Sequence, residues 1–212
     1  MTTPKQDMQD RRALLATALG HVPFDGWSHK ALDASARDLD LDEAAAARLF
    51  PGGPSELLTF ATSEADVAML AALADHDLTS LKIRERIALA VRLRIESDIP
   101  HREAVARAAA YLALPLNQPL AAKCLYATVD AMWHGIGDTS VDFNFYSKRA
   151  LLAGVVSSTV LFWLQDDSDD FAGTWLFLER RINDVLKIQK ARGQIERAAQ
   201  NLPFIRKMLR RA

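Results

Sequence analysis

A chain of 212 residues, 50% hydrophobic and 25% charged, is long enough to bury a core and too apolar to be disordered. Its formal net charge of -1 removes the simplest electrostatic case for a nucleic-acid binder, and its single cysteine, Cys124, excludes an internal disulfide. Alanine and leucine supply 35 and 29 residues against 9 glycines and 8 prolines, so strong helix formers dominate and an all-α protein is predicted. Residues 1–20 mix acids and bases without a signal core or transit pattern. The longest uncharged run, 150–164, falls short of the roughly 20 residues of a bilayer crossing. A cytoplasmic chain with that run as a buried core helix is expected.

In chain order, a first helix is predicted over 5–19, stopped by Gly20. Ser28 is placed to cap a second, and Asp40-Leu41-Asp42 opens a short third that ends at the breaker Pro51-Gly52-Gly53-Pro54. Two short, closely joined helices in a three-helix unit have the pattern of a helix-turn-helix. Longer helices follow over 55–75, 80–97, 101–112, 116–133, 144–165 and 170–191. In the last of these, Phe171, Trp175, Leu178, Ile182 and Val185 recur at steps of 4, 3, 4 and 3, a stripe for the core or for a dimer seam.

A small helix-turn-helix followed by a larger helical body is the plan of TetR-type repressors. DNA binding would need bases for phosphates and polar side chains on the recognition helix. Between His21 and Phe60 there are three bases (Lys30, Arg37, Arg48) against seven acids, a local -4, and the third helix reads DEAAAARLF. The front is therefore expected not to bind nucleic acid. A ligand-responsive regulator is kept as the alternative.

Catalytic chemistry is equally thin. The five histidines are scattered, and no His-Glu-x-x-His or Glu-x-x-His pair sets two metal ligands on one helix face. Asp130 and His134 share a helix face at four residues' spacing, which reads as half a metal site or as a helix-end pair. Gly135-Ile136-Gly137-Asp138 reads as a helix stop, and Cys124 as a buried structural thiol. No catalytic residue, metal or cofactor is expected, and the chain is read as a non-enzyme.

The segment 137–149, GDTSVDFNFYSKR, is unlike the rest. With QDDSDDF at 165–171, TWLFLERRIND at 174–184 and DAMWHGIGD at 130–138, it resembles the accessory lipid-binding family of coenzyme Q (ubiquinone) biosynthesis. The likeness covers roughly 8–190. It implies a TetR-like fold that binds an isoprenoid quinone intermediate or another lipid in its body and presents it to the di-iron demethoxyubiquinone hydroxylase. It further implies a partner-binding patch at Asp142, Asn144, Phe145, Tyr146 and Arg149; position 145 is often Trp in relatives and is Phe here. Aromatic and arginine side chains are frequent interface hot spots. The lipid pocket has no motif of its own. The uncharged helix and its neighbours offer Met132, Trp133, Leu152, Val155, Val156, Leu161, Phe162 and Trp163 as lining, with room left by Ala153, Gly154, Ser157 and Ser158.

From Arg180 to the end, ten bases oppose two acids. The last stretch, Phe204-Ile205-Arg206-Lys207-Met208-Leu209-Arg210-Arg211, alternates apolar and basic pairs, so as a helix its apolar side chains fall within roughly 140°. That is the pattern of an interfacial, membrane-binding helix. The predicted organisation is thus 1–54, a degenerate helix-turn-helix-like domain; 55–192, the helical lipid-binding domain; and 193–212, an amphipathic tail. A homodimer is expected, peripheral on the inner face of the membrane.

Overall fold

The computed structural model describes residues 4–42, 44–138 and 144–201, with side chains for all of these but 144–146 and 188–201. The described residues form α1 (Pro4–Asp25), α2 (His29–Asp38), α3 (Ala45–Leu49), α4 (Gly53–Ala74), α5 (Ile83–Asp98), α6 (Arg102–Ala113), α7 (Gln118–Gly135), α8 (Asn144–Trp163) and α9 (Ala172–Asn201), with no strand among them.

Local signals mark several boundaries. Ser28 Oγ accepts from the Ala31 N–H (3.2 Å), capping α2. After Pro51-Gly52, Gly53 takes a φ of +62°, and Pro54 sits in the first turn of α4. The stop after α7 is made at Ile136 and at Gly137, with φ +84°. The first helix differs from expectation. It passes Gly20 and even Pro23 to end at Asp25, because the added turn buries Val22 beside Leu14 and Ala18. Its stop is Gly26, whose N–H reaches Val22 O at 2.9 Å.

The buried side chains form two clusters. Leu14, Val22, Trp27, Leu32, Phe50, Leu57 and Phe60 make the front core, joined by Ala104 from α6. Met69, Leu73, Val91, Ile95, Val129, Met132, Leu152, Trp163, Leu178 and Ile182 make the core of the body. The long helix α4 contributes its first half to one cluster and its second half to the other, so it ties them together. By length and composition α4 is apolar enough to cross a membrane; here it packs against α5 and α7 and carries a buried ion pair, as a core helix does. The Phe171–Trp175–Leu178–Ile182–Val185 stripe packs against the body core.

One resemblance-bearing motif is structural. The Asp166 carboxylate accepts four hydrogen bonds, from Ser168 N–H (3.0 Å) and Oγ (2.7 Å) and from Thr174 N–H and Oγ1 (both 2.6 Å). It thereby closes the turn between α8 and α9 and caps the start of α9. These donors, the Ser168 hydroxyl first and Thr174 next, hold the Asp166 carboxyl well below the usual carboxylate range. A carboxyl depressed on folding stabilises above its unfolded pKa of about 3.9, and that contribution fades as pH falls toward its folded value. Asp166→Asn is therefore expected to melt at lower temperature than the parent at neutral pH. The gap should narrow between pH 4 and pH 2; thermal melts across that range check it.

Candidate functional site

A cavity of about 520 Å³ lies among α4, α5, α6, α7 and α8, with Leu15, Leu19 and Trp27 of the front on one side. Its walls follow helical spacing: Leu58, Ala61, Thr62, Ala65 and Ala68 from α4; Ala104, Val105, Ala108, Ala109 and Leu112 from α6; Ala121, Cys124, Leu125 and Thr128 from α7; Val156, Ser157, Val160 and Leu161 from α8. Seven of these are alanines. Helix axes pack 8–10 Å apart or more, and a side chain that stops at Cβ leaves the space between them unfilled. The cavity exists because the facing residues are small. Trp27, whose indole N–H reaches Ala104 O at 3.1 Å, ties the front to this wall.

One wall is polar. Arg94 on α5 donates through Nε to Asp66 Oδ1 (2.8 Å) and through Nη1 to Asp98 Oδ2, while Thr128 Oγ1 donates to Asp66 Oδ2 (2.9 Å). These groups are largely removed from water, with side-chain exposures of 12% for Arg94 and 10% for Asp66. Burial pushes the Asp66 carboxyl above its ordinary range, against the pull of Arg94. The Arg94 guanidinium, although burial opposes its charge, is held above its ordinary value by Asp98 and Asp66.

The residues expected to line one pocket on α8 are distributed among several places. Val156 and Leu161 line the large cavity. Trp133, Leu152 and Val155 line a second, of about 210 Å³, with Ile83 and Ile87 of α5 and Ile182 and Val185 of α9. Met132 and Trp163 fill the body core and line neither; Phe162 stacks on Phe177, with ring centres 4.5 Å apart. Of the small residues, Ser157 faces the large cavity. The alanine faces of α4 and α6 were missed by the sequence reading. Their signal was there, at 61, 65 and 68 and at 104 and 108, as a helix face on the core side made of alanine where larger side chains are usual.

At the motif preceding α8, Asp142 lies outside the described residues, as do the side chains of Asn144, Phe145 and Tyr146, which open the helix. Arg149 departs from the expected surface patch. It is only 3% exposed, and its Nε and Nη2 both reach Asp130 Oδ1 at 2.7 Å, so it clamps α8 to α7 from within. His134 closes on the same residue, with Nδ1 3.3 Å from Asp130 Oδ2, the helix-end pair of the two readings. Among the described residues no three His, Cys, Asp or Glu side chains are grouped to hold a metal. Cys124 is buried, its Sγ 4.0 Å from Thr59 Oγ1. The tail residues Phe204, Ile205, Arg206, Lys207, Met208, Leu209, Arg210 and Arg211 lie outside the described residues.

The front unit uses its few cations internally. Arg48 on α3 pairs with Asp42 through Nη1 (2.8 Å) and Nη2 (2.7 Å), Lys30 with Asp25 (2.7 Å), and Arg37 Nε reaches Asp33 O (3.3 Å). Phosphates would have to displace the Asp42 and Asp25 carboxylates from Arg48 and Lys30.

Comparison with known proteins gives a consistent picture. A family model described as COQ9 matches residues 118–189. The Ubiquinone biosynthesis protein COQ9-B, mitochondrial, of Xenopus laevis is 36% identical over 198 residues, covering 90% of this chain and 67% of the relative. The COQ9 proteins of Rattus norvegicus and Homo sapiens, both named as mitochondrial ubiquinone biosynthesis proteins, are 35% and 34% identical over 205 residues and 93% of this chain. This chain spans 65% and 64% of their lengths. A solved TetR transcriptional regulator from Nitrosomonas europaea superposes with a TM-score of 0.65 at 21% identity, over 82% of this chain and 95% of that one. At that identity the likeness concerns the fold, which is all-α and TetR-like.

Proposed function

The chain belongs to the COQ9 family, and from that premise we propose that it serves ubiquinone biosynthesis by binding an isoprenoid quinone intermediate and presenting it to the di-iron demethoxyubiquinone hydroxylase. The observation that carries this reading is the alanine-walled cavity of about 520 Å³. A concave, mostly apolar site with a few convergent polar groups suits a prenylated ring. The chain acts as a carrier and adaptor, without catalytic residues of its own. The basic, amphipathic pattern of 203–212 supports reversible docking on a membrane surface, from which the lipid is taken. Leu161 on α8 and Leu176 on α9 are more than half exposed beside the stacked Phe162 and Phe177, an apolar face that suits a homodimer.

In this reading Phe145 and Tyr146, at the start of α8, anchor the hydroxylase, while Asp142 and Asn144 complete the patch and Arg149 holds its base to Asp130. Phe145→Ala with Tyr146→Ala is expected to weaken association with the hydroxylase by about a hundredfold, near 3 kcal/mol, as loss of aromatic anchors does. Lipid uptake should be unchanged. Normal association in a pull-down or by surface plasmon resonance would reject the patch.

The TetR-like fold favours one rival, a ligand-responsive transcription regulator. The acid-paired cations of the front oppose it. Titration with random duplex DNA at low salt is expected to show no tight binding; tight binding that weakens steeply with salt would establish the rival.

A further inference from the structure

The turn that joins α6 to α7 is apolar where turns are usually polar. Residues 108–122, AAAYLALPLNQPLAA, carry no charge, and no acid occurs between Glu103 and Asp130. Leu116 is 94% exposed and Leu114 53%, with Ala113, Pro115, Pro119 and Ala122 exposed around them. The two polar side chains of the turn are spent on the end of α6. Asn117 Nδ2 donates to Tyr111 O (2.8 Å), and Gln118 Nε2 donates to Leu112 O (3.0 Å) and Ala113 O (3.2 Å). The last carbonyls of a helix are otherwise left to water. Satisfying them within the chain lowers the cost of moving the corner out of water, as backbone entering a lipid surface requires.

The charges nearby suit the same surface. Arg107 and Lys123 are exposed and stand about 9 and 8 Å back from the corner along α6 and α7, at a rise of 1.5 Å per residue. An interfacial element sinks about 5–10 Å, so both cations meet headgroups while the leucines enter the acyl boundary. Glu103 lies a further turn back and pairs with Arg107 (3.5 Å). The adjoining start of α4 is tied to the corner by Ser55 and Tyr111, whose hydroxyls are 2.9 Å apart. There Glu56 is held by Arg11 (2.9 Å) and by the Gly52 N–H (2.8 Å). Two leucines beside two prolines offer far less than the roughly 800 Å² per partner of a stable protein contact, whereas a bilayer needs no shaped counterpart.

We infer that the α6–α7 corner is a membrane-inserting tip, with Leu114 and Leu116 in the acyl boundary and Arg107 and Lys123 at the headgroups. This contact goes beyond the tail, since no residue of 203–212 takes part. It also gives the docked chain a direction. Leu112 and Ala121, which line the large cavity, lie two residues from Leu114 and Pro119, so docking by this corner brings that wall to the bilayer.

The test uses the full chain, an environment-sensitive fluorophore on Leu116→Cys in a Cys124→Ser background, and vesicles of phosphatidylcholine and phosphatidylglycerol. Vesicles are expected to shift the emission to the blue, and nitroxide-bearing lipid to quench it. The same label on Ser80→Cys, past the far end of α4, should keep its aqueous emission. Leu114→Ser with Leu116→Ser touches exposed side chains alone, so it should weaken vesicle binding at least tenfold at an unchanged melting temperature. A bound chain with an aqueous label at 116, equal shifts at 116 and 80, or undiminished binding by the double variant overturns the tip and leaves the tail reading standing. Emission that shifts with protein concentration in the absence of vesicles assigns the leucines to a second copy and overturns it as well. A folded chain that binds no vesicle removes both membrane contacts.

Discussion

Arg94→Leu is expected to destabilise the protein by about 3–5 kcal/mol, the cost of leaving a buried carboxylate without its partner. Asp66 would keep only the Thr128 hydroxyl at 2.9 Å. Chemical denaturation at neutral pH measures the loss, and its pH dependence identifies the cause. A carboxyl whose pKa rises on folding retains a proton that the unfolded chain has released, so stability falls as pH rises from the unfolded pKa, about 3.9, through the folded one. Burial already raises Asp66 in the parent, and losing Arg94 raises it further. The deficit should therefore be smallest near pH 4 and full at pH 7. Adding Asp66→Leu should recover the part of the loss that comes from Asp66, since an apolar pair needs no desolvation of charge, and leaves only Asp98, with 20% of its side chain exposed, without its arginine. A single variant as stable as the parent would show that water or another group already reaches Asp66.

Ala108→Phe is expected to lower isoprenoid uptake at least tenfold, about 1.4 kcal/mol, while leaving the melting temperature equal or higher. The position lines the large cavity, so the ring enters empty space and gains apolar contact without overpacking a filled core. Ala110→Phe is the control. It lies two residues on in α6, exposed and away from the cavity lining, and should leave uptake unchanged. Native mass spectrometry after incubation with farnesol checks both. Undiminished uptake by a folded Ala108→Phe would remove this cavity as the lipid site.

The features read correctly in advance are the ones decided within a few residues. The Ser28 cap, the Pro51–Pro54 break and the glycine stop after α7 depend on local dihedrals and on side chains near their own backbone. The α9 stripe was legible because 3.6-residue periodicity puts 175, 178, 182 and 185 on one face; Phe171 precedes the helix, with a φ of +55°, and still packs against the body core. Gly20 misled because its local preference for a stop is weak beside the burial of Val22 two residues later. Position 149 misled for a different reason: its motif marks a segment, and nothing in the motif says whether the arginine turns outward or toward Asp130, 19 residues earlier.

The pocket shows the division most clearly. The uncharged stretch 150–163 of α8 announced burial, but whether a buried face meets filled core or open space depends on what stands across from it. Met132 and Trp163 meet side chains that fill the space; Val156 and Leu161 face alanines on other helices. The amino-acid sequence by itself determined an all-α chain, its main breaks, its acidic, base-poor front and its family, because composition, periodicity and motif are properties of the string. Only the tertiary structure decided where the alanines converge and that Asp66 meets Arg94 28 residues away. A cavity and a buried ion pair are set by distances between helices, and those distances follow from packing the whole chain at once.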